Sequence, residues 1–220
     1  ITPFDPLRPR QASKPGSLEV LPINTRNKIR CGQLDTRNAS YVMDMLDAAI
    51  RGCQSLLFDA MVTCPVTKEG LHAAGVPFPG HTEFLADLCG GAEVVMMLAG
   101  ERLRVALVTI HVSLRKALEL LSVPVIVRTI RITHRFFRDY MGTDAPRIAV
   151  AGVNPHAGEG GLFGDEEKTI VAPAVAACRA KGIDASGPYP PDTLFYRAYR
   201  GEFDVVVAMT HDHGLIPVKY

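Results

Sequence analysis

The sequence predicts an α/β fold built on a mostly parallel sheet flanked by helices. Short apolar runs rich in β-branched residues alternate with amphipathic helical stretches over most of the chain. The runs RVALVTI, RIAVAGV and DVVVAMT are apolar throughout rather than alternating, as strands covered on both faces are. Each of the three then runs out within a few residues into a histidine. With 220 residues, 47% of them hydrophobic and 21% charged, the chain is long enough for one large domain or two small ones.

Residues 1–16 hold four prolines and little periodicity, which predicts a loop or arm. SLEVLPI follows as a strand. From Asn38 onward, Val42, Met45, Leu46, Ala49 and Ile50 fall on one face of a helix, with Asn38 or Ser40 as cap and Gly52 near its end. SLLFDAMVT reads as a buried strand that breaks at CPVTKEG. A short helix runs to Ala74, Gly75 stops it, and VPFPG makes a turn. HTEFLADLCGG predicts a helix capped by Thr82 and closed by Gly90 and Gly91. EVVMMLAGERLRVALVTI predicts two strands around a Gly-Glu turn, a hairpin in a second, partly antiparallel subdomain. Helices follow over SLRKALELLS and VIVRTIRITHRFFRDYMG, with His72 and His134 as structural residues inside helices. RIAVAGV is a strand leading into the loop NPHAGEGGLFG, and Asp165 caps the next helix. GPYPPDTLF reads as turns before the final strand FDVVVAMT, after which Gly214 turns the chain.

Composition excludes several classes of function. The net charge is 24 − 23 = +1, so no excess of positive charge prepares the chain for nucleic acid or an anionic membrane. No apolar stretch reaches the roughly 18–20 residues that span a bilayer, and no signal peptide opens the chain. The five cysteines are scattered and never spaced C-x-x-C, which fits small buried hydrophobes in a reducing cytoplasm better than disulfides or a thiolate zinc site. The first residue is Ile1 and the last Tyr220, and both ends read as cut.

The polar residues are informative by position. His111, His156 and His211 each follow a predicted strand, and open α/β sheets bind ligands beyond the carboxyl ends of their strands. A lone histidine there is most often a loop or capping residue, yet three imidazoles at one edge are a donor set for zinc, cobalt, nickel or iron, with positions left open for substrate. His81 and Thr82 stand at a predicted helix start, where free N–H groups attract anions. Lys219 is a surface lysine or an anion ligand. Asp212 is a loop carboxylate, a weak candidate for proton acceptor, or the group that orients its histidine neighbour. Glu159 and Lys68 are weaker still. There is no Walker A, G-x-S-x-G or H-E-x-x-H sequence, and GEGGLFG lacks the dinucleotide-binding spacing.

CPVTKEGLHAAGVPFPGHTEFLADL, NPHAGEGGLFGDEE, GPYPPDTLF and HDHGLIPVKY, in this order, resemble the 4-hydroxythreonine-4-phosphate dehydrogenases of pyridoxal phosphate biosynthesis and their close paralogues. The resemblance runs from about residue 20 to the end. It implies a fold similar to isocitrate and isopropylmalate dehydrogenases, which bind NAD or NADP without the Rossmann fingerprint. It also implies metal ligation by His111, His156 and His211, substrate contacts from His81, Thr82 and Lys219, and a homodimer whose subunits share each metal site. The metal is expected to be zinc, magnesium or cobalt. Cys64-Pro65 stands where such proteins often have Gly-Pro, and His213 where they have glutamine. Segments preceding residue 1 and following residue 220 in such proteins are missing, so residues 1–220 are expected to form the central part of a longer two-subdomain chain.

The reaction so implied oxidises a secondary alcohol by hydride transfer to NAD(P)+, giving a β-keto acid that loses carbon dioxide; from 4-phosphooxy-threonine the product is 3-amino-2-oxopropyl phosphate. A divalent ion held by neutral imidazoles keeps its full charge for the alcohol oxygen, lowering its pKa by several units. Similar proteins act on 4-phospho-threonate, 4-phospho-erythronate or a cis-dihydrodiol dicarboxylate. Rival readings of another class are a three-histidine zinc hydrolase and a non-catalytic metal-binding module.

Overall fold

The computed structural model describes residues 1–8, 14–73, 75 and 81–220, which form two compact units, Ile1–Ala92 and Glu93–Tyr220. The second unit holds a five-stranded sheet of β3 (Met97–Ala99), β4 (Arg104–Leu107), β5 (Ile148–Ala151), β6 (Ala185–Tyr189) and β7 (Val205–Ala208). Their order across the sheet is β3-β4-β7-β5-β6, with β3 antiparallel to β4 and all other pairs parallel. The predicted hairpin is present, and it forms the antiparallel edge of this same sheet.

The all-apolar strands are central and covered on both faces, as their composition requires. Val205 and Val207 of β7, with Ile148, Val150 and Ala106, face α5 (Val123–Tyr140) and α6 (Ala172–Arg179) through Ile126, Ile130, Phe137, Val175 and Cys178. Val206 and Ala208, with Ala149, Ala151, Val105 and Leu107, face α7 (Pro191–Tyr199) and α8 (His211–Lys219) through Leu194, Phe195 and Leu215. Alternate side chains thus feed opposite layers in an α/β/α stack. Ser113 caps α4 (Leu114–Leu120) by accepting from the Lys116 N–H.

Two stretches of this unit depart from expectation. GPYPPDTLF is not a string of turns: Ala185–Tyr189 is edge strand β6, and Pro191 opens α7. Proline is tolerated at a sheet edge and at a helix start. Glycine is required at 187, where a Cβ would lie 2.4 Å from the Val150 carbonyl oxygen and φ is +122°. Likewise, Gly214 does not turn the chain but lies inside α8. A Cβ there would meet Leu107 Cδ2 at 2.5 Å and Val105 Cγ1 at 3.0 Å, so the missing side chain lets the helix lie close on β4.

In the first unit, α1 (Ala39–Gln54) buries Leu46 and Ile50 against Phe84 of α3 (His81–Leu88), and α2 spans Lys68–Ala73. Asn38 holds the N-cap position of α1 without a side-chain cap bond. SLEVLPI shrinks to β2 (Glu19–Val20), paired in parallel with β1 (Thr2–Pro3) in the arm. SLLFDAMVT forms no strand. The amides of Leu57 and Phe58 bond back to the Gly52 carbonyl, so its first part closes α1, and a Cβ on Gly52 would strike the Phe58 ring at 2.2 Å. An apolar run becomes a strand only where another strand takes up its backbone groups. VPFPG and Ala74, the expected end of the short helix before it, lie outside the described residues. Nor are the cysteines mostly buried: Cys178 is, Cys53 is half-buried, and Cys31, Cys64 and Cys89 are exposed. No helix among the described residues is long and apolar enough to cross a membrane.

Candidate active site

Strands β4, β7 and β5 are adjacent and parallel, so their carboxyl ends open on one edge of the sheet. Past β4 and β7 the pairing continues: Val108 N–H donates to the Ala208 carbonyl at 2.9 Å, and Thr109 donates from both N–H and Oγ1 to the Met209 carbonyl, at 3.2 and 2.8 Å. Thr109 and Thr210 are buried there. The two segments are therefore still locked side by side two residues before their histidines. The His111 and His211 rings come to a centroid separation of 5.6 Å, inclined at 50°. His211 opens α8, and its Nδ1 lies 2.7 Å from Asp212 Oδ1, which leaves Nε2 for another partner.

This pair has the spacing that metal ligands need. With metal–nitrogen bonds of about 2.0–2.1 Å and near-tetrahedral directions, two imidazole centroids flanking one ion lie roughly 5 Å apart. His156 does not join them within one chain, for no three His, Cys, Asp or Glu side chains among the described residues stand close enough to share an ion. Its ring lies instead against Phe163, at 6.2 Å between centroids.

The reason is the path of the chain after β5. Residues 156–160 all adopt left-handed backbone, including His156 (φ 53°), Ala157 (φ 53°) and Glu159 (φ 42°). Three non-glycine residues in that region cost roughly 3–6 kcal/mol together, at about 1–2 each. The compensation comes from the helix that follows, whose first turn is a π turn over Glu167–Val171, its Lys168 and Thr169 N–H groups bonding the Asp165 carbonyl. Glu167 is 4% exposed and its carboxylate accepts from Val153 N–H (2.7 Å), Asn154 N–H (2.8 Å) and Asn154 Nδ2 (2.9 Å). Burial by itself would raise its pKa, but the Asn154 and Val153 donors outweigh burial and hold it below the usual carboxylate range. Hydrogen bonds to a charged group contribute about 1.5–3 kcal/mol each, so the three together are of the same order as the backbone cost. Glu166 takes a further bond from Asn154 Nδ2, and Lys168 donates to the Gly160 carbonyl.

Nothing in the sequence reading singled out Glu167 or Asn154. A signal was present, since Glu167, Val171, Ala174 and Cys178 repeat at helical spacing, placing a carboxylate on an otherwise apolar stripe. The remaining predicted residues lie elsewhere. Lys219 ends α8, eight residues and about 12 Å of helix axis from His211. His81 and Thr82 open α3 in the first unit; Thr82 sits inside the first turn rather than capping it, and it is exposed.

Taken together, these features define an open α/β protein with a candidate ligand site at the carboxyl edge of its sheet, marked by paired imidazoles. The chain belongs to the family described as pyridoxal phosphate biosynthetic protein PdxA, whose model matches residues 1–220. It is 56% identical over 211 residues to a 4-hydroxythreonine-4-phosphate dehydrogenase of Geobacter metallireducens, an overlap covering 95% of this chain and 62% of that protein. The crystal structure of 4-hydroxythreonine-4-phosphate dehydrogenase from Klebsiella pneumoniae superposes with a TM-score of 0.83 at 48% identity, over 87% of this chain and 57% of that one. A terephthalate 1,2-cis-dihydrodioldehydrogenase from Burkholderia xenovorans superposes at 0.72 with 30% identity, over 92% and 63%. The chain thus spans about three fifths of the length of these relatives.

Proposed function

We propose that the chain carries the alcohol-oxidising centre of a divalent-metal- and NAD(P)-dependent dehydrogenase acting on 4-phosphooxy-threonine. The secondary alcohol gives up a proton and a hydride, the hydride reducing NAD(P)+ to NAD(P)H. The β-keto acid then loses carbon dioxide to leave 3-amino-2-oxopropyl phosphate. The observation that carries this reading is the His111–His211 pair, 5.6 Å apart at the carboxyl edge, in a chain whose relatives bear the name of that activity.

In this reading His111 and His211 hold a zinc, cobalt or magnesium ion, and His156 of a second copy completes the donor set in a homodimer. When bound, the ion supplies positive charge that eases ionisation of the alcohol and stabilises the charge left by decarboxylation. The protein's own groups do the rest. The Asp212 contact fixes the ring of His211, a geometry that favours an orienting role over that of proton acceptor. Lys219 offers a point charge to the phosphate or carboxylate of the substrate. His81 and Thr82, on the other unit, are assigned separately as substrate contacts.

The test uses the full-length protein stripped of metal and reloaded with cobalt. NAD(P)H formation should return with the metal and vanish in His111→Ala and His211→Ala while circular dichroism is retained. Turnover that survives both chelation and both substitutions would overturn the reading. A substrate panel separates phosphorylated hydroxy acids from a dihydrodiol dicarboxylate, the alternative raised by the Burkholderia relative. Hydrolysis without nicotinamide would favour a zinc hydrolase, and metal uptake without any turnover a binding module.

A further inference from the structure

Within the metal reading above, one buried group outside the proposed ligands and substrate contacts bears on where His156 can stand. Its loop leaves the sheet at Gly152 and winds left-handed for five residues, a conformation its own side chains disfavour. The only buried charged side chain among the described residues, Glu167, lies at the centre of that winding. Glycine backbone closes around it: a Cβ on Gly152 would be 2.9 Å from Glu167 Oε1, and one on Gly158 would be 2.7 Å from Oε2. The carboxylate is thus seated in a socket of Gly152, Val153, Asn154 and Gly158, immediately before and after His156.

We propose that Glu167 is a positioning residue: its buried carboxylate, held by the N–H groups of Val153 and Asn154 and by the Asn154 amide, fixes the left-handed loop that presents His156 as a metal ligand. The carboxylate touches neither ion nor substrate. It acts by anchoring the backbone that enters the five-residue turn and by packing closely against Gly158 within it, so that the imidazole has one orientation instead of many. The strain of the turn is consistent with this, since a left-handed run persists only where its surroundings impose it.

The consequence is measurable apart from activity. Glu167→Gln keeps the length and one acceptor oxygen for the two backbone donors, but it turns an amide towards the Asn154 amide. Glu167→Ala removes every acceptor. In the full-length protein, cobalt affinity followed by the visible d–d bands should fall in the order wild type, Gln variant, Ala variant. The loss should be on the order of 10–100-fold, the range seen when groups supporting metal ligands are removed. Amide exchange at residues 153–164 should quicken in the same order, with the rest of the sheet unchanged. Gln and Ala variants that fold and bind cobalt with wild-type affinity and spectrum would overturn the inference while leaving the metal reading intact. A Gln variant that fails to fold also overturns it, because Glu167 would then serve the whole unit rather than the loop. If the wild-type protein binds no cobalt, the metal reading itself falls and this inference with it.

Discussion

Replacing Gly214 with alanine separates two accounts of HDHGLIPVKY. If Gly214 were a helix position with no close neighbour, alanine would replace a poor helix former and stabilise the protein by about 0.8–1 kcal/mol. The structure predicts the opposite sign. The new methyl would lie 2.5 Å from Leu107 Cδ2, 3.0 Å from Val105 Cγ1 and 3.1 Å from Ala208 Cβ. Carbon atoms in ordinary contact sit at about 3.5–4.0 Å. The Leu107 methyl can swing away by rotation, but Val105 and Ala208 are held by the β4–β7 ladder. The helix must therefore lift by roughly half an ångström. Overpacking of this kind costs about 1–3 kcal/mol, and subtracting the propensity gain leaves a net loss near 1 kcal/mol. For a chain of this size that lowers Tm by about 2–4 °C. Denaturant and thermal melts of Gly214→Ala against wild type decide it, and a raised Tm would refute the close approach of α8 to β4. Because α8 begins at His211, the metal reading further expects this variant to bind cobalt more weakly than its small stability loss alone would suggest.

Two further outcomes follow from the remaining geometry. Arg147 grips Asp204 through its N–H, Nε and an Nη, at 2.7, 3.1 and 2.9 Å, tying the starts of β5 and β7 together. That side-chain hydrogen bond, chiefly, holds the Asp204 carboxyl below its usual range against the opposing effect of burial. A depressed folded pKa contributes stability above the unfolded value, near pH 4, and loses it as pH falls through the folded value. Asp204→Asn should therefore cost about 1 kcal/mol at pH 7, kept modest because Arg147 is half exposed. The gap to wild type should narrow as pH falls below the unfolded value, and denaturation at pH 7 and in acid checks it. Lys219→Ala should raise KM for a phosphorylated substrate about tenfold or more with kcat little changed, the loss of one charged contact; an unmoved KM would place the lysine outside the substrate site.

The legible parts of this fold were those in which local pattern and tertiary need coincide. Val205, Val206 and Val207 are apolar because they face helices on both sides, so composition alone predicted a central parallel strand. The helix stripe of Val42, Leu46 and Ile50 was legible for the same reason. Failures came where one residue type serves two purposes. Glycine at 187 and 214 admits a close approach rather than a turn, and the prolines around β6 are permitted by its edge position. SLLFDAMVT has the composition of a strand but is used to close α1. Glu167 escaped notice because a carboxylate near a helix start normally signals a cap, whereas here it is buried against the preceding loop.

The three histidines show how far such patterns reach. All three follow apolar strands by similar distances, yet only two meet in one chain. Leu107 pairs with Ala208 in the β4–β7 ladder, so two chains continuing in register would set residue 111 opposite 212, one position from His211. Parallel strands lie about 4.8 Å apart, close to the separation two imidazoles need around one ion, and the pairing persists to Thr109 and Met209. The β5–β7 register, Ile148 with Val205, would carry residue 156 opposite 213 by the same reasoning. It does not get there, because the chain departs at Gly152 and the Glu167 socket winds it left-handed. Adjacent strands that stay paired past their ends assemble a donor pair within one chain, while a strand whose continuation is pulled aside presents its histidine elsewhere. On the metal reading, that third donor is then offered to a second copy, and dimerisation becomes a condition of a complete site.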